Sequence, residues 1–590
     1  MNSVVTPVEL SPLDDVFAEY VMRTALARGT DAVSSPAMVL LADTARLVSA
    51  ERTTGNSCVD LAEYAGRSVT LGRRVVRWPD LAEWQHLLRH SGVSVSGDIT
   101  DALHLSALTL DGSRLYLTRY HRAETRLARA MQRLMTASSG GATAAPSARF
   151  AALFPPQEGR VDWQARAAEA ALRWPLVFVT GGPGTGKTTV AARLLALLLD
   201  RDPTLTIALA APTGRAAARL LEAVSTAAVR DGLHELDPVL PQLSGRTLHR
   251  LLGYHPATQR FRYGAHRPLA EDVVIVDEAS MVDVLMMDAL FAALKPSARL
   301  IVLGDPDQLA SVDTGFVLGD VTRAAESPVA QGTALERSVV RLAYSWRFGQ
   351  QVGIGRLADA ARLGDGAGAM AALQDASLTD VAWQEPHRSA AELLRAIEPQ
   401  VQAFLTTTAP ADALTTLGRF RVLCALRDGP TGVTGLNALI ESWLQRQGRS
   451  IAGWYDHRPV LITANDPATQ LFNGDVGVCL AADGMPMVHF PAPDGGVRSF
   501  APAQLPMHET AWAMTVHKSQ GSEFDHVLIV LPDADSRVLT RELLYTAVTR
   551  ARRAVTVVGT DTMIEAAIHR SVVRGSGLTD RLLAGATSRS

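Results

Sequence analysis

The chain has 590 residues, of which 47% are hydrophobic and 20% charged; this excludes a wholly disordered, collagenous or fibrous protein. At about 150 residues per domain, the length predicts about three to five domains. Its 57 Lys and Arg against 60 Asp and Glu leave a net charge of −3, which excludes a uniformly basic nucleic-acid coat but not a local basic groove.

Residues 1–136 read as a mainly helical domain, with apolar residues at helical spacing over 14–28 and 37–48. Arg119, Arg122, Arg126, Arg129 and Arg133 recur at intervals of three and four and would line one helix face. That face is either solvated or a contact for DNA or a partner protein. A small, polar, turn-rich stretch over 138–147 places a linker at 137–148. From 149 to 345 short apolar strands at 176–179, 206–210, 273–276 and 300–303 alternate with helical stretches, the pattern of a parallel sheet covered on both faces. A second α/β unit over 346–590 has buried strands at 421–425, 527–530 and 554–558. Within it, at about 455–510, short strands broken by Gly, Pro, Asn and Asp predict a small inserted β-barrel.

Gly181-Gly182-Pro183-Gly184-Thr185-Gly186-Lys187-Thr188 fits G-x-x-x-x-G-K-[ST] between a predicted strand and the helix that Thr189 opens. Glycines there let backbone N–H groups wrap phosphates, and the helix N-terminus favours negative charge. Lys187 is expected on the β/γ-phosphates of ATP, and the Thr188 hydroxyl on Mg²⁺. Asp277 and Glu278 end the strand at 273–276, where a carboxylate meets the phosphate loop of a doubly wound sheet. Asp277 would hold Mg²⁺ through water, and Glu278 would polarise the attacking water. Gln308, after the next strand, is placed to sense the γ-phosphate.

GGPGTGKTT (181–189), APTGRAAARL (211–220), VDEASMVD (276–283), GDPDQLASVDTG (304–315), SWRF (345–348), VHKSQGSEF (516–524) and LLYTAVTRAR (543–552), in this order, resemble the motifs of superfamily-one helicases. Within these the wording is most similar to the RecD family, the α subunits of RecBCD-type exodeoxyribonuclease V. RVLCALRDGPTGVTGLN (421–437) and LFNGDVG (471–477) add to it, and SRLYLTRYHRAE (113–124) extends it upstream.

The resemblance implies two RecA-like domains in tandem, an SH3-like β-barrel insertion and ATP between the domains. It implies adenine reading by Gln164, a nucleotide contact by Glu523, and γ-phosphate contacts by Arg347 and by Arg550, the arginine finger. A planar guanidinium suits phosphate because it binds two oxygens and stays charged. DNA contacts are implied at Thr213, Arg215, Thr247 and His249, and at Thr515, His517 and Lys518. A hairpin at about 254–267 resembles a strand-splitting pin; its Tyr254, Phe261 and Tyr263 would either stack on a base or form a small core.

The function so implied is ATP-driven 5′ to 3′ movement on single-stranded DNA at duplex ends, in a heterotrimer with RecB-like and RecC-like subunits that processes double-strand ends for recombinational repair. No nuclease cluster stands in the sequence, so nuclease activity is expected of a partner. The alternatives are a free-standing RecD-like helicase and, in another class, a P-loop switch or small-molecule kinase. The latter predicts no distant arginine motif. Cys58, Cys424 and Cys479 lack metal or disulfide spacing, no signal peptide is expected from residues 1–17, and no run approaches the about 20 apolar residues of a membrane span. A cytoplasmic protein without membrane contact is expected.

Overall fold

Aliphatic runs with no polar face, such as Val273–Val276, need cover on both sides. In the computed structural model they receive it. Residues 7–587 are described, except 28–34, 97–105, 138–146, 156–160, 348, 350–351, 386–389, 467, 483 and 493–494. Most of the expected linker thus lies outside the described residues; Ser147 caps the helix Ala148–Leu153.

The first sheet is parallel and six-stranded, in the order Val339–Arg341, Leu176–Thr180, Arg299–Gly304, Val273–Val276, Ile207–Ala211, Gly245–Thr247. Successive residues alternate between two cores. Leu176, Phe178, Val274 and Val276 face one, and Val177, Val179, Val273 and Ile275 the other. Val276 pairs with Val302 and Ala210, and Gly304 with Thr180, so the loops after these strands leave from one edge.

The second sheet is also parallel, in the order Val381–Gln384, Ala551–Val558, Phe524–Val530, Phe420–Cys424, Ala513–Thr515. Between its strands Phe420–Cys424 and Ala513–Thr515 the chain builds a five-stranded antiparallel sheet, in the order Val497–Phe500, Met485–Pro491, Val476–Ala482, Arg458–Ile462, His508–Thr510. Val460, Ile462, Cys479, Val488 and Phe490 form its own core. Its two edge strands do not pair with each other.

The N-terminal region is carried by the helices Pro12–Ala27, Ser35–Thr53, Leu81–His90 and Thr118–Thr136. It also holds a small four-stranded sheet and the hairpin Ser68–Leu71/Arg74–Arg77, whose strands of three or four residues are too short to show a period. Trp78 and Trp84 stack at 4.5 Å between ring centroids in its core.

The helix Thr118–Thr136 buries Tyr120, Ala123, Leu127, Met131 and Leu134 against the first sheet's core. Its arginines lie on the other face: Arg119, Arg126, Arg129 and Arg133 are exposed, and Arg126 pairs with Asp288. The C-terminal helix Leu578–Thr587 belongs to the same core through Leu578 and Leu582, so the chain returns from the second sheet to the first.

Candidate active site

The phosphate loop needs backbone that only glycine adopts easily. Gly184 and Gly186 have φ of +73° and +90°, and a Cβ on Gly186 would collide with the Gln164 side chain. Gln164 lies in the first turn of the helix Trp163–Arg173, capped by Asp162, and its Nε2 donates to Thr185 O at 3.0 Å. Lys187 Nζ donates to Gly181 O at 2.5 Å and Gly182 O at 3.0 Å, over the first turn of the helix Lys187–Arg201. Thr188 and Thr189 follow in that turn. Segment 345–347 is tied to the loop: Ser345 Oγ donates to Pro183 O at 2.9 Å, and Trp346 N to Gly184 O at 3.0 Å.

Asp277 and Glu278 follow the strand Val273–Val276. Burial, reinforced by the neighbouring Glu278 and opposed by Lys187, pushes the Asp277 carboxyl up to about 6. Glu278 adopts a left-handed φ of +53°, which turns the chain sharply at this edge.

Gln308 and Arg550 meet across the junction of the two parallel sheets. Arg550 Nη2 donates to Gln308 Oε1 at 2.8 Å, and Gln308 Nε2 donates to Asp305 Oδ2 at 3.0 Å. Burial lowers the Arg550 pKa, opposed by Glu278 and Glu523. Arg550 Nε and Nη1 are fixed on Thr546 O and Ser522 O. Leu309 N donates to Thr546 Oγ1 at 2.9 Å across the same junction.

Glu523 gathers three arginines: Arg347 Nη2 at 2.8 Å, Arg552 Nε at 3.1 Å and Arg219 Nη2 at 3.3 Å. Burial alone would raise its carboxyl, but Arg219 and Arg347 overrule this and hold it at about 2. Arg347 Nη1 is buried without a protein partner. That orphaned donor, the Lys187 ammonium, the Thr188 hydroxyl and the Asp277 carboxylate form a donor set that fits a nucleotide phosphate with a divalent cation.

The expected DNA residues fall into two groups. Thr213 caps the helix Gly214–Asp231, and Thr247 caps the helix Leu248–Leu251. Arg215 is turned inward, its Nη1 donating to Gly474 O at 3.2 Å, and burial followed by Arg219 lowers its pKa to about 10. In the second unit Thr515 Oγ1 accepts from Lys518 N, Lys518 Nζ donates to Glu509 Oε1 at 2.6 Å, and burial lowers the His517 pKa. The hairpin Tyr254–His255/Arg260–Phe261 sets Tyr254 against Phe261 at 5.4 Å and against His249 at 5.1 Å. Phe261 and Tyr263 pack on the first sheet's core, a small-core arrangement.

Sequence reasoning missed Asp305, Arg219 and Tyr545, all inside quoted motifs. Tyr545 Oη donates to Asp305 Oδ2 at 2.9 Å. The signal for Arg219 was its spacing of four from Arg215 on one helix. Among the described residues no His, Cys, Asp and Glu cluster is gathered for a metal, and no helix is long and apolar enough to cross a membrane.

Three family models match: an AAA domain over 164–314, a UvrD-like helicase C-terminal domain over 510–558, and the N-terminal domain of RecBCD enzyme subunit RecD over 8–116. The chain is 42% identical over 545 residues to the RecBCD enzyme subunit RecD of Mycolicibacterium smegmatis, covering 90% of this chain and 91% of that one. It is 37% identical to the RecD subunit of Haemophilus influenzae, over 72% of this chain and 73% of that one. The ATP-dependent RecD2 DNA helicase of Deinococcus radiodurans is 31% identical over 81% of this chain and 60% of its own length. A solved Pif1 helicase from Bacteroides, in complex with ADP-AlF3 and ssDNA, is 18% identical over 66% of this chain and 90% of its own, with a TM-score of 0.36. Matched along nine-tenths of its length and in its N-terminal region, the chain belongs to the RecD family.

Proposed function

We propose that this protein is an ATP-dependent 5′ to 3′ DNA helicase, the motor subunit of a RecBCD-type helicase–nuclease that works on double-strand DNA ends. The observation that carries the reading is the contact of Arg550 with Gln308 between two parallel sheets, beside the phosphate loop. A switch or small-molecule kinase needs no second sheet to supply such an arginine. The RecD2 relative supports a free-standing helicase as second reading, but this chain matches a smaller share of that relative than of the RecD subunits.

On this reading the two parallel sheets are tandem RecA-like domains, about 149–345 and 346–590, after an N-terminal partner-binding domain over 1–136. The antiparallel sheet at about 455–510 is the SH3-like insertion. Gln164 reads adenine, and Gly181 to Thr189 wrap the phosphates with Lys187 neutralising their charge. Thr188 and Asp277 would hold Mg²⁺, which when bound offsets charge on the β- and γ-phosphates. Glu278 takes a proton from the attacking water. Gln308 orients that water, and Arg347 and Arg550 stabilise charge on the γ-phosphate oxygens. Glu523 serves through Arg347, holding its fork toward the loop.

Movement follows from charge. ATP completes its contacts only when both domains close on it; hydrolysis removes that bridge, and the junction relaxes. Thr213, Arg215, Thr247 and His249 on one domain, and Thr515, His517 and Lys518 on the other, would grip a single strand alternately. Hydroxyl and cationic contacts to backbone give hold without sequence preference. Arg215 must leave Gly474 to take part. The partners are RecB-like and RecC-like subunits, and the setting is cytoplasmic.

The test is strand displacement on duplexes with 5′ or 3′ tails, with ATP hydrolysis measured in parallel, for the wild type and Lys187→Gln. Displacement of 5′-tailed duplex by the wild type, with both activities lost in the folded variant, is expected. Undiminished DNA-stimulated hydrolysis in Lys187→Gln overturns the site.

A further inference from the structure

Tyr545 stands between the phosphate loop and a second, charged cavity. Its hydroxyl donates to Asp305 Oδ2 at 2.9 Å, and a Cβ placed on Gly182 would stand 2.8 Å from the Tyr545 hydroxyl oxygen. Tyr545 also lines a cavity of about 170 Å³ at the junction of the two parallel-sheet units. One wall is the helix Val317–Glu326 of the first unit; the other is formed by Arg362 and the helix Arg541–Val548 of the second.

The lining is rich in guanidinium groups: Arg323, Arg341, Arg362 and Arg541. Three carboxylates share it, and each is already engaged. Arg341 takes Asp307 at 2.5 Å and Glu326 at 2.9 Å, while Glu542 accepts from Ser571 Oγ and Val572 N. Arg541 Nε is buried without a partner. The volume is roughly that of five or six waters, enough for a small oxyanion with part of its hydration and too little for a nucleotide.

We propose that this cavity is the exit for the orthophosphate split from ATP, with the Tyr545–Asp305 hydrogen bond as its inner door. The inference rests on the ATPase reading above and deepens it. Asp305 Oδ2 accepts from both Tyr545 and Gln308, so the γ-phosphate sensor and the door share one oxygen. Rotation of Gln308 after hydrolysis removes one donor from that oxygen and frees the carboxylate to move with Tyr545. Phosphate then meets guanidinium groups instead of bulk apolar wall. Separation of the two units widens the same cavity, because each contributes one side of it. A DNA phosphodiester is a second source of the same oxyanion chemistry, and the experiment separates the two.

The full chain is mixed with ATP and tailed DNA. Hydrolysis is followed by rapid quench and phosphate release by a fluorescent phosphate-binding sensor. The variant Arg362→Gln with Arg541→Gln removes two cavity charges without stripping a buried carboxylate of its partner. The expected result is hydrolysis within about twofold of wild type and release slowed by about three- to tenfold, with recovery in the Lys versions of both substitutions. Arg541→Gln alone, whose guanidinium is in no ion pair among the described residues, is the second variant should the double variant fail to fold, and is expected to slow release in the same sense. Release that keeps pace with hydrolysis in the Gln variants overturns the exit. So does a loss of DNA affinity with unchanged release, which assigns the cavity to DNA phosphate. A wild-type chain that hydrolyses no ATP overturns the functional reading and the exit together.

Discussion

Arg550 Nη2 donates to Gln308 Oε1 at 2.8 Å, joining a residue before the last strand of the second sheet to one in the loop after Arg299–Gly304 of the first. The pair is buried, and Arg550 spends its other nitrogens on the fixed carbonyls of Thr546 and Ser522, so the fork is held before any ligand arrives. On the proposed reading, this preorganisation would make Arg550 effective as a trans arginine, since no reorganisation is needed as charge develops.

Arg550→Lys retains a charge but not the planar fork. It is expected to lower kcat for DNA-stimulated ATP hydrolysis by about 10³-fold while changing nucleotide affinity by less than about threefold. Steady-state hydrolysis and equilibrium nucleotide binding check this; a loss of affinity with kcat unchanged would place Arg550 in binding only.

Glu523→Gln leaves Arg347, Arg219 and Arg552 without their common carboxylate. A destabilisation of about 2–4 kcal/mol in chemical denaturation is expected, with kcat reduced because Arg347 loses its anchor. The sign of the pH effect follows from a folded pKa depressed to about 2. The wild-type contribution is full above about pH 4.3, the unfolded value, and is lost as pH falls toward 2. The stability gap between wild type and variant should therefore narrow on acidification across that range.

Asp320 behaves oppositely. Burial raises it to about 6, opposed by Arg323 and aided by Glu124. Against an unfolded value of about 3.9, ionisation costs the fold nothing below about pH 4 and its full penalty above about pH 6. Asp320→Asn should match the wild type at pH 4 and exceed its stability at pH 7.5 by about 1–3 kcal/mol, read from thermal melts at the two pH values.

Arg574 fastens the returning C-terminal segment to the loop that carries Gln308. Its nitrogens donate to Ser311 O at 2.6 Å, Gly315 O at 2.9 Å and Asp313 O at 3.1 Å. Arg574→Ala takes the guanidinium from Ser311 O, while Asp313 O and Gly315 O keep the Ser311 hydroxyl, and a loss of about 1–3 kcal/mol is expected. Lys should restore little, having no fork. Unchanged melting of the Ala variant would show that the tail is held by its helix and by the hydrogen bonds of Gly575, Ser576 and Gly577 to Ser57, Asn56 and Glu124.

The chemistry-bearing loops were legible in the sequence because each is a local matter. A glycine-rich turn between strand and helix, or a carboxylate pair ending an aliphatic run, is defined within a dozen residues by backbone freedom and periodicity. The strands at 176–180, 273–276 and 299–304 were legible for the same reason, as each lies buried on both faces. The short strands Gly245–Thr247, Val339–Arg341 and Ala513–Thr515 were not, since three residues carry no period.

What only the tertiary structure decided is who meets whom across the junction. Gln308 is 242 residues from Arg550, and Asp305 is 240 from Tyr545. No spacing rule reaches so far, and the pairings exist because the loop after Arg299–Gly304 packs against the helix Arg541–Val548 and the turn that follows it. The same holds for Arg215, which the sequence presents as a free cation and the fold turns onto Gly474. The sequence by itself determined the phosphate loop, the parallel sheets and the family, through local backbone chemistry and motif order. The contacts that join Arg550 to Gln308 and Tyr545 to Asp305 were decided by long-range packing, because burial and electrostatic pairing depend on distance in space and not along the chain.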